Sequence, residues 1–138
     1  MTIRGVDHIN IGTNTLEETV AFFRDAIGLE LGWRPDFPVG GAWLYAGDTA
    51  LVHLVDLPQA KLPSSQAALD HFALRIDDYD AAIARLHAAG VRYRAVDIGG
   101  TAIRQINLRD PNGVNIELNY RDAVSAPISD AQPARAPA

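Results

Sequence analysis

The sequence predicts an α+β fold built from two βαβββ modules, and three observations indicate this class. The dipeptide Asp-His occurs twice in short alternating runs, in GVDHINIG from Gly5 and in ALDHFALRI from Ala68. Each run precedes an amphipathic helical pattern that stops at a glycine, and three strand-like segments follow each helix. The two histidines of these dipeptides lie 71 − 8 = 63 residues apart. An internal repeat of this kind determines the architecture.

The first module is predicted over about residues 4–56. Its opening strand, 6–12, alternates between apolar and polar side chains. A helix is predicted over 15–27, where Thr15 and Glu18 match a capping box and Gly28 ends the helix. Its apolar stripe consists of Leu16, Val20, Phe23 and Ile27. The three strands that follow are predicted at 29–34, 42–46 and 50–56.

The second module is predicted over about residues 68–120, after a linker at 57–67 that contains prolines and serines. Its elements are a strand at 69–76, a helix that ends at Gly90, and strands at 91–97, 102–108 and 114–120. The sequence RDPNG at 109–113 is typical of a tight turn, in which Asn-Gly supplies positive φ. Residues 1–120 are thus expected to form one domain. The Ala- and Pro-rich stretch 121–138 is expected to be a mobile tail.

Composition excludes several classes of function. The chain of 138 residues has no cysteine, so disulfides, Cys-ligated zinc and thiol catalysis are excluded. Its net charge of −5 gives no basic surface for nucleic acid. No segment resembles a signal peptide or reaches membrane-spanning length. We therefore expect a cytoplasmic protein with a small-molecule partner and no membrane or nucleic-acid partner.

Three histidines and one glutamate are predicted to share a face of the strands. Side chains alternate along a strand, so the residues that pack against each helix leave the others on the opposite face. His8, His53, His71 and Glu117 all fall on that opposite face. A single strand histidine is more often structural than ligating. The repetition at equivalent positions favours a site for one divalent metal ion, because imidazole and carboxylate are suitable ligands.

At these residues the sequence resembles the vicinal oxygen chelate superfamily, also called the glyoxalase/bleomycin-resistance/dioxygenase group. The resemblance spans about residues 4–120 and rests on DHINI, AFFRDAIGLEL, DHFALRI and RDPNGVNIELNY. It implies a cupped mixed sheet around a metal site, with His8, His71 and Glu117 as ligands. His53 falls where glyoxalase I-like members carry a glutamate. The metal is expected to be Fe, Mn, Ni, Co or Zn.

The resemblance leaves three classes of function open. The first is a glyoxalase-like lyase or isomerase, in which a metal binds adjacent substrate oxygens and a base moves a proton. Glu117 and His53 are then the catalytic candidates, and His53 is either a fourth ligand or a base. The second is an Fe(II) extradiol-type dioxygenase. The third is a metal-free binding protein of the bleomycin-resistance kind. Thiol transfer of the fosfomycin-resistance kind needs a basic cluster, for which the sequence suggests only Arg75 and Arg104.

Two residues are predicted to contact the substrate. Arg75 shares a face with His71 and either binds an anionic group or pairs with an acid. Trp43 belongs to a group of aromatic residues that form either core and dimer contacts or an apolar substrate wall. The other members of this group are Trp33, Phe37 and Tyr45. A C2 homodimer is expected, with the two halves of a site coming from either one chain or two.

Overall fold

The computed structural model describes residues 1–121, in which two four-stranded sheets carry short helices on one side. The predicted α+β class with two βαβββ modules is confirmed. The predicted tail lies outside the described residues, except for Arg121, which is the last residue of a strand. No helix within residues 1–121 is long and apolar enough to cross a membrane.

The elements follow the predicted order, with shifts of a few residues at their ends. In the first module these are β1 (Ile9–Thr13), α1 (Leu16–Ala21), a π-helical segment (Phe22–Ile27), β2 (Glu30–Gly32), β3 (Gly41–Ala46) and β4 (Thr49–Asp56). In the second module these are β5 (His71–Ile76), α2 (Tyr79–Ala88), β6 (Tyr93–Asp97), β7 (Ile103–Arg109) and β8 (Asn115–Arg121). A 3₁₀ turn, Ser64–Gln66, lies in the linker between the modules.

Both sheets have the same topology, which places the first strand of each module beside the last. The strand orders are β1-β4-β3-β2 and β5-β8-β7-β6. The pairs β1–β4 and β5–β8 are parallel, and the other pairs are antiparallel. β1, which directly follows His8, therefore pairs with β4, which carries His53. β5, which begins at His71, pairs with β8, which carries Glu117.

One face of each sheet packs against the helices. Burial alternates along β4 and β8, where Val52, Leu54, Ile116 and Leu118 are buried and the residues between them are partly exposed. These side chains join those of α1, the π-helical segment and α2 in one apolar core. The outward faces predicted for His53 and Glu117 are therefore the ones observed.

The first helix differs from its prediction in two ways. The α-helix ends at Ala21 and continues as a π-helical segment to Ile27, so that the consecutive residues Phe22 and Phe23 are both buried. Their rings pack edge to face with centroids 5.2 Å apart. A wider i→i+5 turn lets two neighbouring side chains face the core, which a 3.6-residue period does not. Gly28 ends the segment in a left-handed conformation with φ 90°.

The predicted capping box at the start of α1 is wrong. Thr15 occupies the N-cap position, but its side chain makes no capping hydrogen bond. The Thr15 amide instead donates to Oγ1 of Thr13, and the Thr19 hydroxyl donates to the Thr15 carbonyl. Thr13 and Thr19 are fully buried. The sequence motif is present, but the buried Thr13 accepts the Thr15 amide hydrogen bond that Glu18 would accept in a capping box.

The turn between β7 and β8 links the two modules. Nδ2 of Asn112 donates to Oγ1 of Thr19 in the first module, over 3.1 Å. Asp110 organises the turn by accepting hydrogen bonds from the Asn112 and Val114 amides. Gly113 has φ 78°, whereas Asn112 does not have positive φ, so the glycine alone meets that requirement.

Candidate metal and substrate site

Each Asp-His dipeptide forms its own hydrogen bond. Nδ1 of His8 lies 2.7 Å from Oδ1 of Asp7, and Nδ1 of His71 lies 2.9 Å from Oδ2 of Asp70. An ionised carboxylate only accepts hydrogen bonds, so Nδ1 carries the proton in both rings. The lone pair of Nε2 is then available to a ligand. In metal sites, a ligating histidine is commonly oriented in this way, because its other ring N–H donates to a carboxylate that does not itself bind the metal.

Glu117 is held by two amides that both bind the same oxygen. Nε2 of Gln105 and Nδ2 of Asn119 donate to Oε1 of Glu117, over 2.8 and 2.7 Å. Neither of these hydrogen bonds uses Oε2, so they leave it available to a ligand. Oδ1 of Asn119 is buried without a hydrogen-bond partner in the described structure.

Sequence reasoning missed the supporting roles of Gln105 and Asn119. Alternation along β8 places Asn119 on the face of Glu117, which was a readable signal. The position of Gln105 depends on the pairing of β7 with β8, where Gln105 is opposite Asn119. That register cannot be read from either strand alone.

His53 lies in a stack of three rings. Its ring is parallel to His8 at a centroid distance of 3.9 Å and to Trp43 at 4.0 Å. Burial and the neighbouring His8 lower the pKa of His53. Both effects favour the neutral form of the ring.

The stack restricts how His8 and His53 bind a metal. An imidazole nitrogen binds a metal in the plane of its ring, at about 2.1 Å. Parallel rings direct their lone pairs side by side and not toward one point. In the stacked arrangement only one of the two rings can bind a given ion, and ligation by both requires one ring to rotate.

The four predicted ligands are divided between the two sheets. His8 and His53 belong to the first module, and His71 and Glu117 belong to the second. Within residues 1–121 no group of three His, Asp or Glu side chains is close enough to hold a metal ion. The predicted ligands therefore form two pairs, or candidate half-sites, one on the outward face of each sheet.

The predicted substrate contacts fall in different places. Trp43 covers His53, and the rings of Trp33 and Phe37 lie 6.1 and 6.3 Å from the Trp43 ring. Tyr45 donates its hydroxyl proton to the Trp33 carbonyl, so it fastens β3 to the segment after β2. Arg75 is exposed and is paired in register with Asn119, on the face of Glu117.

Arg104 was wrongly suggested for an anion-binding cluster. It pairs in register with Tyr120, on the helix-side face of β7 and β8. Its guanidinium lies 3.6 Å from the centroid of the Tyr79 ring and also contacts Asp97. These contacts turn Arg104 away from His71 and Glu117.

A large open cavity of about 980 Å³ adjoins the half-site of the second module. His71 and Glu117 line it together with Arg92, Arg94 and Arg109. These arginines were not predicted from the sequence as site residues. The antiparallel pairing of β6 with β7 and of β7 with β8 brings Arg94 and Arg109 to this face, and Arg92 immediately precedes β6.

The sequence profile of the Glyoxalase/Bleomycin resistance protein/Dioxygenase superfamily matches residues 5–118, which include both Asp-His dipeptides and Glu117. The chain belongs to this superfamily. Among curated protein sequences, none matches the chain significantly.

Solved structures of the superfamily fold cover nearly the whole chain. A protein from Bacillus anthracis described as a glyoxalase family member has a TM-score of 0.72 at 23% identity, covering 88% of this chain and 98% of its own. TnmS3, an antibiotic-binding protein from a Streptomyces species, has a TM-score of 0.67 at 25% identity, with coverages of 88% and 98%.

A third structure is a variant of FosX, the fosfomycin resistance protein of Listeria monocytogenes, in complex with Mn(II) and 1S,2S-dihydroxypropylphosphonic acid. Its TM-score is 0.69 at 18% identity, with coverages of 88% and 95%. The glyoxalase superfamily fold of this chain therefore occurs both in a metal-containing resistance protein and in an antibiotic-binding protein.

Proposed function

We propose that this protein is a metal-dependent lyase or isomerase whose site combines half-sites from two copies of the chain. His8 and His53 of one protomer would face His71 and Glu117 of the other. The observation that carries the proposal is the repeated Asp-His hydrogen bond, because both modules present a histidine with Nε2 free. A divalent ion held by His8, His71 and Glu117 would leave coordination positions open to substrate.

Exposed apolar side chains beside the histidines support the pairing of two chains. Val6 and Leu69 occupy equivalent positions, two residues before His8 and His71, and are 80% and 71% exposed. Burying such side chains against a second copy is favourable, at about 25 cal/mol per Å² of apolar surface. A C2 arrangement would cover both positions with one type of contact.

The residues of this chain would divide the chemistry between them. The bound metal would supply Lewis acidity toward two adjacent substrate oxygens. Glu117 would hold its orientation through Gln105 and Asn119. His53 would accept and return the proton, since burial favours its neutral form and its ring adjoins His8. Trp43 would exclude water on the far side of His53.

Mixing two inactive variants tests whether the site is shared between chains. His8→Ala and Glu117→Ala chains are unfolded and refolded together, and bound Mn(II) is measured by electron paramagnetic resonance. A heterodimer of these variants contains one site with both residues intact. Random pairing would restore about a quarter of the wild-type metal content.

The control pair is His71→Ala with Glu117→Ala. Both changes lie in the same module, so every shared site would lack one ligand and no metal binding would return. If the first mixture also fails to recover, the two-chain site is wrong. Each of the three variants is expected to lose metal binding when it is measured unmixed. Retention of metal by all three would mean that the metal binds elsewhere.

A second candidate function is metal-free binding of a small apolar ligand. The cluster of Trp33, Phe37 and Trp43 beside His53 favours it, as does the likeness to TnmS3. Elemental analysis after purification without chelators, followed by incubation with Fe, Mn, Ni, Co and Zn, separates the candidates. Less than about 0.1 metal ion per chain would favour the binding protein, because a site with three ligands takes up metal readily.

A further inference from the structure

Three arginines converge on the cavity of the second module. Arg94 on β6 is opposite Asn107 on β7, which is opposite Glu117 on β8. Arg109 is opposite Asn115, which is opposite His71. Residues paired across neighbouring strands point to the same face of a sheet. Arg94 and Arg109 therefore share the face of the two candidate metal ligands, and Arg92 lines the same cavity.

No carboxylate of the described residues forms an ion pair with these arginines. None of the ion pairs among residues 1–121 involves Arg92, Arg94 or Arg109. Nε of Arg109 donates to Oδ1 of Asn115, a neutral acceptor, over 2.8 Å. Arg94 and Arg109 are exposed. Their remaining N–H groups are thus available to a ligand.

The acids that line the cavity are mostly engaged elsewhere. Asp70 holds His71, and Glu117 accepts from two amides. Asp110 is buried and accepts hydrogen bonds within its own turn. Glu18, on α1, is the remaining acid of the lining. None of these acids forms an ion pair with Arg92, Arg94 or Arg109, so the three guanidinium groups can bind an anionic ligand.

We propose that Arg92, Arg94 and Arg109 bind an oxyanion group of the substrate, either a phosphoryl group or a carboxylate. The guanidinium fork is suited to two-point contact with such groups. This inference rests on the proposed function, which places the reacting end of the substrate near His71 and Glu117. It adds the substrate class, which is an anion.

An alternative role for charged side chains on β6 is protection of an exposed sheet edge. The strand lies at the end of the order β5-β8-β7-β6, where charges discourage pairing with other chains. Arg109 does not fit this role, because β7 is an inner strand. Edge protection predicts no binding of small anions.

Isothermal titration calorimetry of the metal-free, full-length protein tests the proposal, with inorganic phosphate, methylphosphonate and acetate as probes. We expect saturable binding of at least one probe. Loss of one charge-assisted contact should weaken it about tenfold in Arg94→Gln and in Arg109→Gln. Arg94→Lys should retain part of the affinity, since it keeps the charge and loses the fork. The preferred probe distinguishes phosphoryl from carboxylate recognition.

The matched control is Arg24→Gln, an exposed arginine of the first module that pairs with Asp25. It removes the same charge and should leave binding unchanged. Absence of saturable binding, or equal weakening in Arg24→Gln and Arg94→Gln, would overturn the proposal. Thermal melting confirms that each variant is folded. Mn(II) content should stay unchanged in Arg94→Gln, so failure here is separable from failure of the metal site.

Discussion

At the scale of single residues, the candidate site is defined by how its side chains are oriented. The histidines are fixed through Nδ1 by aspartates, and Glu117 is fixed through Oε1 by two amides. Each arrangement leaves one donor atom free of those hydrogen bonds. The sequence revealed the histidines through their repetition, whereas the amides became visible only through strand pairing.

The hydrogen bond from Gln105 leads to a prediction about metal affinity. Gln105→Ala should weaken Mn(II) binding about 10–100-fold, because it releases one constraint on Glu117. Competition with a chelator of known affinity measures the change. Asn107→Ala is the matched control, since Asn107 is opposite Glu117 in register but makes no hydrogen bond to it in the described structure. If Gln105→Ala and Asn107→Ala weakened Mn(II) binding equally, Gln105 would have no specific role in orienting Glu117.

Asp110 leads to a prediction about pH. Burial raises its pKa above the ordinary value of 3.8, although hydrogen bonds from Asn112 and Val114 oppose the shift. An acid with a raised pKa in the folded state stabilises the fold at low pH. That contribution disappears as pH rises through the folded-state pKa.

As pH rises from the unfolded-state pKa through the raised folded-state pKa of Asp110, the unfolding free energy of the wild type should therefore fall relative to that of Asp110→Asn. Urea denaturation across this range measures the difference. Asp25→Asn should change the pH dependence of the unfolding free energy in the opposite direction, because the hydrogen bond from Arg24 lowers the pKa of Asp25. A pH profile that is unchanged by Asp110→Asn would contradict the assignment.

At the scale of elements, period-two alternation predicted the faces of the strands and the repeat predicted their order. Local turns were less predictable, because buried partners from distant segments determine them. Thr19 is an example, since it takes part in the hydrogen bonds of both Thr15 and Asn112. The π-helical segment is another, because two consecutive phenylalanines compete for the same core.

The β7–β8 turn leads to a stability prediction. Gly113 has φ 78°, and an added Cβ would lie 2.8 Å from Cβ of Pro63. Gly113→Ala should destabilise the protein by about 1–3 kcal/mol through backbone strain and this clash. Gly99→Ala, where an added Cβ meets nothing within 4 Å, should be nearly neutral. Equal midpoints of urea unfolding for the two variants would contradict this account.

At the scale of the whole molecule, the four predicted ligands are divided between the two sheets. The sequence predicted four ligands on outward faces, but the distance between the faces depends on how the two modules pack. That packing involves Asn112, Thr19 and the apolar core shared by α2 and the π-helical segment. No local pattern encodes it.

A shared site predicts that metal binding depends on protein concentration. Dilution that dissociates the dimer should release Mn(II) in parallel, because linkage couples ligand binding to association. Sedimentation velocity and electron paramagnetic resonance on the same dilution series measure both quantities. Metal binding that persists in a monomeric sample would show that one chain suffices.

The stack of Trp43, His53 and His8 has an optical consequence. Because the Trp43 indole lies 4.0 Å from the His53 ring, we expect its emission intensity to depend on the geometry and protonation of that pair. Trp43 is thus a built-in fluorescent reporter of His53, once the other tryptophan is removed by Trp33→Phe. Rotation of His53 toward a ligand would register as a change in brightness, without any label or substrate.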